Sequence, residues 1–148
     1  MSVEENKTLV RRYFEAIDAR RDPAVVDEFL SPDFVSHNPS PGFGSDREGQ
    51  KGSFAHFLAA APDSTHVIEA MVAESDTVVS RWTFHGTHEN EFAGVAATGR
   101  QVSLSGINID RIVDGKFVER WYEMDRMGLM QQLGVIPAPG QSEEASPT

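Results

Sequence analysis

Four polar side chains stand close together in the last third of this chain: Asn108, Asp110, Arg120 and Tyr122. Alternate residues of a strand share a face, so Asn108 and Asp110 point one way from one strand, and Arg120 and Tyr122 from the next. An amide, a carboxylate, a guanidinium and a phenol on one wall could do acid/base chemistry. A few such polar groups fixed on the wall of a mostly apolar pocket are what a small-molecule site needs. A phenol, with a reference pKa of about 10, is a poor base at neutral pH but a good hydrogen-bond donor. Asp110 is the carboxylate nearest to Tyr122 on the same face. Arg81, on an earlier strand, is read into the same pocket. Two readings of this face stay open: a pocket wall, or the wet side of a half-buried sheet.

Further candidates lie close by. Asp125 precedes a short helix and reads either as its N-cap or as a catalytic carboxylate. Glu123 falls on the opposite face. His37 adjoins a loop, and histidine is the residue type suited to proton exchange near neutral pH. The five histidines, His37, His56, His66, His85 and His88, show no ligand spacing, so no metal is expected. The Gly-Phe-Gly-Ser run at 42–45 lacks the lysine and the preceding strand of a phosphate loop. No cofactor is expected.

These residues depend on a hairpin. VSLSGINIDRI and KFVERWYEM flank Val-Asp-Gly, and glycine accepts the left-handed geometry that closes such a turn. A type I turn with a bulge at Gly115 would set Ile112 opposite Lys116, Asn108 opposite Arg120 and Ile107 opposite Trp121. One face then carries Ile107, Ile109, Phe117 and Trp121. On the preceding strand Val78, Ser80, Trp82 and Phe84 share a face, as core or dimer interface, and Val79, Arg81, Thr83 and His85 share the other. Strands are expected over 65–73, 77–88, 101–112 and 116–124, with a helix over 126–133.

Ahead of the strands, Ser2 and Glu5 fit a capping box, and Leu9, Val10, Tyr13, Phe14 and Ile17 recur at helical spacing, so residues 3–20 read as a helix. Asp22-Pro23 starts a second helix that Pro32 ends. Asp46 caps a third, which carries Phe54, Phe57 and Leu58. Helices followed by a run of antiparallel strands make an α+β layer design.

The chain has 148 residues, read as one domain over 1–136 and a polar tail over 137–148 too poor in apolar residues to order itself. No apolar run approaches the roughly 20 residues of a membrane span. The N-terminal MSVEENK shows no signal peptide and cysteine is absent, so a cytoplasmic protein is expected. With 13 basic residues against 23 acidic, the net charge is −10, which argues against nucleic acid and anionic membrane as partners.

The segment GRQVSLSGINIDRIVDGKFVERWYEMDRMGLMQQLG resembles the C-terminal half of SnoaL-like polyketide cyclases, within the nuclear transport factor 2-like fold. The DPAVVDEFLSPDFVSHNP segment and the GTHENEFAGVAATGR loop agree with it, and the resemblance covers about residues 5–135. It implies a strongly curved antiparallel sheet forming a cone, with the N-terminal helices enclosing a cavity, and a homodimer as the common assembly. It also implies ring closure by intramolecular aldol addition, or an isomerisation, on an apolar carbonyl-bearing molecule without a cofactor. The position after the hairpin Trp, which often carries the acid in this family, is Tyr122, and a position that sometimes carries His is Asn108. Catalytic candidates are therefore Tyr122, Asp110, Asp125 and His37. Substrate-binding candidates are Asn38 in the SHNP segment, Arg81, Thr83, Asn108, Arg120 and Trp121. Arg81 and Thr83 stand where epoxide hydrolases of the fold place an Arg and an acid, but threonine is not an acid. A non-catalytic binder of the same fold is the alternative reading, and an epoxide hydrolase a weaker one.

Overall fold

The computed structural model describes residues 1–137 and 140, so most of the tail expected over 137–148 lies outside the described residues. Helix α1 spans Val3–Arg20. Its start is the expected capping box: the Ser2 hydroxyl accepts from the Glu5 N–H, and the Glu5 carboxylate accepts from the Ser2 N–H, both at 3.1 Å. Arg21 ends the helix in the left-handed conformation, and its guanidinium donates to the Pro62 and Ser64 carbonyls, tying the helix end to the turn at 61–64. Helix α2 covers Val25–Phe29. Pro32 does not end it as expected; the chain is already extended at Leu30, and Pro32 lies inside strand β1, Leu30–Ser36. Helix α3, Arg47–Ala60, begins as expected at Asp46, whose carboxylate accepts from the Gly49 N–H.

Four strands follow: β2 Thr65–Glu74, β3 Thr77–Thr87, β4 Gln101–Val113 and β5 Lys116–Met124, before helix α4, Arg126–Gln132. The sheet order is β1-β5-β4-β3-β2. The last four strands are antiparallel neighbours, and β1 adds a parallel edge beside β5. The register shifts irregularly between β1 and β5, and one-residue shifts in the β2–β3 and β4–β5 pairs are bulges, which bend and twist the strands they interrupt. The bent sheet presents its inner face to α1 and α3. This is the α+β arrangement expected, with the core made by Val10, Tyr13 and Phe14 of α1 against Val78, Leu104 and Phe117.

The hairpin turn departs from expectation, and the departure matters. Asp114 and Gly115 both have positive φ, 50° and 73°, which is the two-residue type I′ turn favoured by Asp-Gly. Val113 therefore faces Lys116, and Ile112 faces Phe117. A bulge at Val118 then adds one residue to β5, so Asp110 faces Arg120, Ile109 faces Trp121 and Asn108 faces Tyr122. The bulge also turns Phe117 inward, where it is fully buried, rather than outward with Trp121.

Candidate active site

The inner face of the sheet carries Val78, Ser80, Trp82 and Phe84 from β3, Leu104, Asn108 and Asp110 from β4, and Arg120 and Tyr122 from β5. Gly106 is required here. A Cβ at this position would stand 2.2 Å from Trp82 Cζ2, so only glycine lets the indole cross β4. Between this face and helices α1 and α3 lies a cavity of about 100 Å³. Phe14, Ile17, Phe54, Phe57, Leu104 and Met124 supply its apolar wall. Its polar groups are Tyr122, Asn108, Arg120, Ser40, Ser53, Gln50, Ser64 and His66, with Tyr13 and Trp82.

Each polar group is held by a specific partner. The Tyr122 hydroxyl lies 2.6 Å from Ser40 Oγ, which lies 2.9 Å from Ser53 Oγ on α3. Arg126 Nη2 donates to both the Tyr122 and Ser40 hydroxyls at 3.3 Å. Ser40 reaches the phenol because its loop is closed at the base, where the Ser36 N–H donates to the Ser45 carbonyl at 2.7 Å. Trp82 Nε1 donates to Asn108 Oδ1 at 3.0 Å, which sets the amide orientation and leaves Nδ2 as a donor at the cavity.

Arg120 lies beneath these groups, its side chain only 5% exposed. Its Nε donates to Asp110 Oδ1 at 2.6 Å, and its guanidinium sits 5.5–5.9 Å from the ring centres of Tyr13, Phe34 and Phe117. Burial pushes the Asp110 carboxyl up, against the pull of Arg120. Burial likewise raises the Tyr13 phenol against the same cation. Burial opposes the charge of Arg120 too, but Asp110 outweighs it and the guanidinium is held above its ordinary value. Asp110 is sealed behind Arg120 and forms no part of the cavity wall. It therefore acts through Arg120, and the expectation that it meets substrate as a catalytic carboxylate is corrected.

A family model described as SnoaL-like polyketide cyclase matches residues 7–133. The chain belongs to the SnoaL-like polyketide cyclase family. It is 30% identical over 131 residues to aklanonic acid methyl ester cyclase DnrD of Streptomyces peucetius, across 85% of this chain and 88% of DnrD. TsrD from Streptomyces laurentii is 30% identical with a TM-score of 0.81, covering 92% of this chain and 99% of TsrD. AclR from Streptomyces galilaeus, a candidate hydroxylase, is 32% identical with a TM-score of 0.83, covering 92% and 100% of the two chains. The fold is thus the nuclear transport factor 2-like one that the hairpin and helices suggested.

Within this SnoaL-like frame, Tyr122, Asn108 and Arg120 line the cavity together. Other expected site residues are elsewhere. Arg81 and Thr83 lie on the outer face, opposite Ile107 and Ser105 of β4, and Thr83 Oγ1 donates to Glu69 at 2.9 Å. Alternation within β3 separates its two faces but does not fix which of them turns inward. Pairing Ser80 with Asn108 puts Ser80 and Trp82 inside instead. His37 and Trp121 are also outside, with their rings stacked at 4.3 Å, and His37 Nε2 bonds Glu119 at 2.8 Å. His37 and Arg111 together hold the Glu119 carboxyl below its usual range. Asp125 is the exposed N-cap of α4, accepting from the Gly128 N–H at 2.9 Å, and supplies no pocket carboxylate.

Asn38 is close to the site but spends its side chain on the backbone. Its Oδ1 accepts from the Tyr122 N–H at 3.0 Å, and its Nδ2 donates to the Tyr122 carbonyl. It positions Tyr122 rather than touching a ligand, which corrects the substrate-binding assignment. Residues the sequence did not single out complete the site: Tyr13, Ser40, Ser53, His66, Trp82 and Arg126. For Tyr13 and Trp82 the helical and strand periods indicated burial but not a place at a cavity. Nothing local marks Ser40, which enters through loop closure.

Proposed function

We propose that this SnoaL-like family member is a cofactor-independent cyclase that closes a ring by intramolecular aldol addition in a largely apolar, carbonyl-bearing small molecule. The observation that carries this reading is the set of fixed donors, the Tyr122 hydroxyl, the Asn108 amide and the Arg120 guanidinium, at one apolar cavity. Loss of a proton from a carbon between carbonyls leaves an enolate, whose oxygen these donors stabilise. The enolate carbon adds to a second carbonyl of the same molecule, a carbon–carbon bond forms, and the new alkoxide takes up a proton. Substrate and product are isomers, so the reaction consumes no oxidant or reductant. Proton return to a different carbon would give the related isomerisation.

The cavity size favours a second reading. At about 100 Å³ it is smaller than the roughly 300–1,000 Å³ typical of sites for drug-sized ligands, which suits a binder of small molecules. An epoxide hydrolase loses support, because Arg81 and Thr83 face away from the cavity. The proposed assembly is a homodimer, supported by the apolar outer face where Ile107, Ile109 and Trp121 are 44%, 38% and 40% exposed.

The test uses aklanonic acid methyl ester, the compound in the name of DnrD, and simpler aryl β-ketoesters. Purified protein without added cofactor is expected to produce a new species of unchanged mass, at a rate proportional to protein. Saturable binding of these esters without any isomer formed would establish the binder instead.

A further inference from the structure

Asp18 and His66 form a hydrogen-bonded pair at one end of the cavity, separate from the donors above. Asp18 Oδ1 lies 2.7 Å from His66 Nδ1, and Asp18 Oδ2 accepts from the His66 backbone N–H at 2.7 Å. One carboxylate thus holds both the ring and the main chain of the histidine. His66 pairs with Phe84 across β2 and β3 and so belongs to the inner face. Its ring packs against Phe14, Phe84 and Trp82, with centres 5.5, 5.4 and 6.0 Å away.

The placement of the pair gives the two ring nitrogens different surroundings. His66 lines the cavity and also an outer groove between α1 and β2, whereas Asp18 lines only the groove. Nδ1 is engaged on the Asp18 side. Nε2 has no hydrogen-bond partner among the described residues, so with Nδ1 engaged it is the ring nitrogen left free in a histidine that lines the cavity.

We propose that His66 is the general base of this pocket, taking a proton from a carbon acid at Nε2, with Asp18 as its positioning residue. Asp18 fixes the Nδ1–H tautomer and stabilises the imidazolium that forms. The proposal rests on the cyclase reading for the natural substrate, but the proton transfer can be tested without it. Asp110 is withdrawn behind Arg120 and Tyr122 is a donor, so the His66 imidazole fills the role the cavity otherwise lacks. The ionisable groups around His66 are Asp18, Tyr13 and, along the groove, Arg11 and Glu15 from α1, with Arg120 and Tyr122 of β5 at the cavity. Its β3 neighbours Trp82 and Phe84 carry no charge, and Gln50 and Ser53 of α3 are neutral.

A nitrobenzisoxazole probe isolates the step. The base removes the ring C–H proton, the electrons of that bond form a nitrile, and the N–O bond opens to release a coloured cyanonitrophenolate. Wild-type protein is expected to exceed an equal concentration of free imidazole by about 100-fold. His66→Gln should fall to background while keeping its circular dichroism spectrum. Asp18→Asn should lower kcat with KM unchanged, because the imidazole loses the carboxylate that holds its ring and its backbone N–H in place. No acceleration by the wild type, or an undiminished rate in His66→Gln, would overturn the proposal. If His66→Gln does not fold, nitrogen NMR of the wild type decides: a proton on Nδ1 supports the dyad, and one on Nε2 removes it. Probe turnover without ester cyclisation would sink the cyclase reading alone. Ester cyclisation that survives His66→Gln would sink this proposal alone.

Discussion

Asn38 holds the peptide of Tyr122 with both ends of its side-chain amide, accepting from its N–H at 3.0 Å and donating to its carbonyl. The amide thereby continues the β1–β5 ladder by one step, just beyond the bond from the His37 N–H to the Arg120 carbonyl. Asn38→Ala leaves two partly buried backbone groups without these partners and should cost about 2 kcal/mol in urea unfolding. Turnover should fall through kcat, because the phenol is displaced rather than removed. A variant of wild-type stability and rate would show that β5 holds Tyr122 unaided.

Tyr122→Phe removes the hydroxyl that meets Ser40 and Arg126 but keeps the ring. Loss of one oxyanion donor typically costs about 100- to 1,000-fold in kcat, and that is the loss expected in the ester assay. Affinity measured by calorimetry should stay within about tenfold, or about 1.4 kcal/mol. Full activity would remove Tyr122 from the mechanism.

The Asp110–Arg120 pair makes a prediction about pH. Burial raises Asp110 above its ordinary 3.8, so in the window above 3.8 the folded chain keeps a proton that the unfolded chain has released. Its contribution to stability is complete below that value and declines as pH rises through the folded-state value. Arg120→Met deletes the cation that limits the rise, so the decline should deepen and extend to higher pH. Unfolding at acid and neutral pH should show a penalty that grows toward about 3–5 kcal/mol. A penalty independent of pH would mean that Asp110 does not titrate in response to Arg120.

Gly106→Ala places a methyl group against the Trp82 indole, which forces a shift of β4 or of the ring. The expected destabilisation is about 1–3 kcal/mol, with altered tryptophan fluorescence. Adding Trp82→Phe should recover part of it, and a simple sum of the two losses would refute the contact.

The outer face gives a prediction about assembly. Replacing Ile107 and Trp121 together by Glu should convert a dimer into a monomer of unchanged fold, read by light scattering after gel filtration. A wild-type monomer would remove the homodimer from the proposal.

The run of helices before strands and the caps of three helices were legible in the sequence, because each depends on residues only a few positions apart. Helix α2, by contrast, starts from Ala24 rather than from the expected Asp22 cap. Ser2 and Glu5, Asp46 and Gly49, and Asp125 and Gly128 are local pairs, and strand alternation identified Asn108, Arg120 and Tyr122 as sharing a face. What tertiary structure alone decided is which faces meet. Inter-strand register turned Arg81 and Thr83 outward and brought Trp82 in, and the turn type with its bulge set Asp110 against Arg120 rather than Asn108. Asp18 and His66 lie 48 positions apart and meet because α1 packs across β2, a contact that neither helical nor strand periodicity encodes. Local spacing determines which way a side chain points from its own element, but the bend and packing of the sheet determine what it meets.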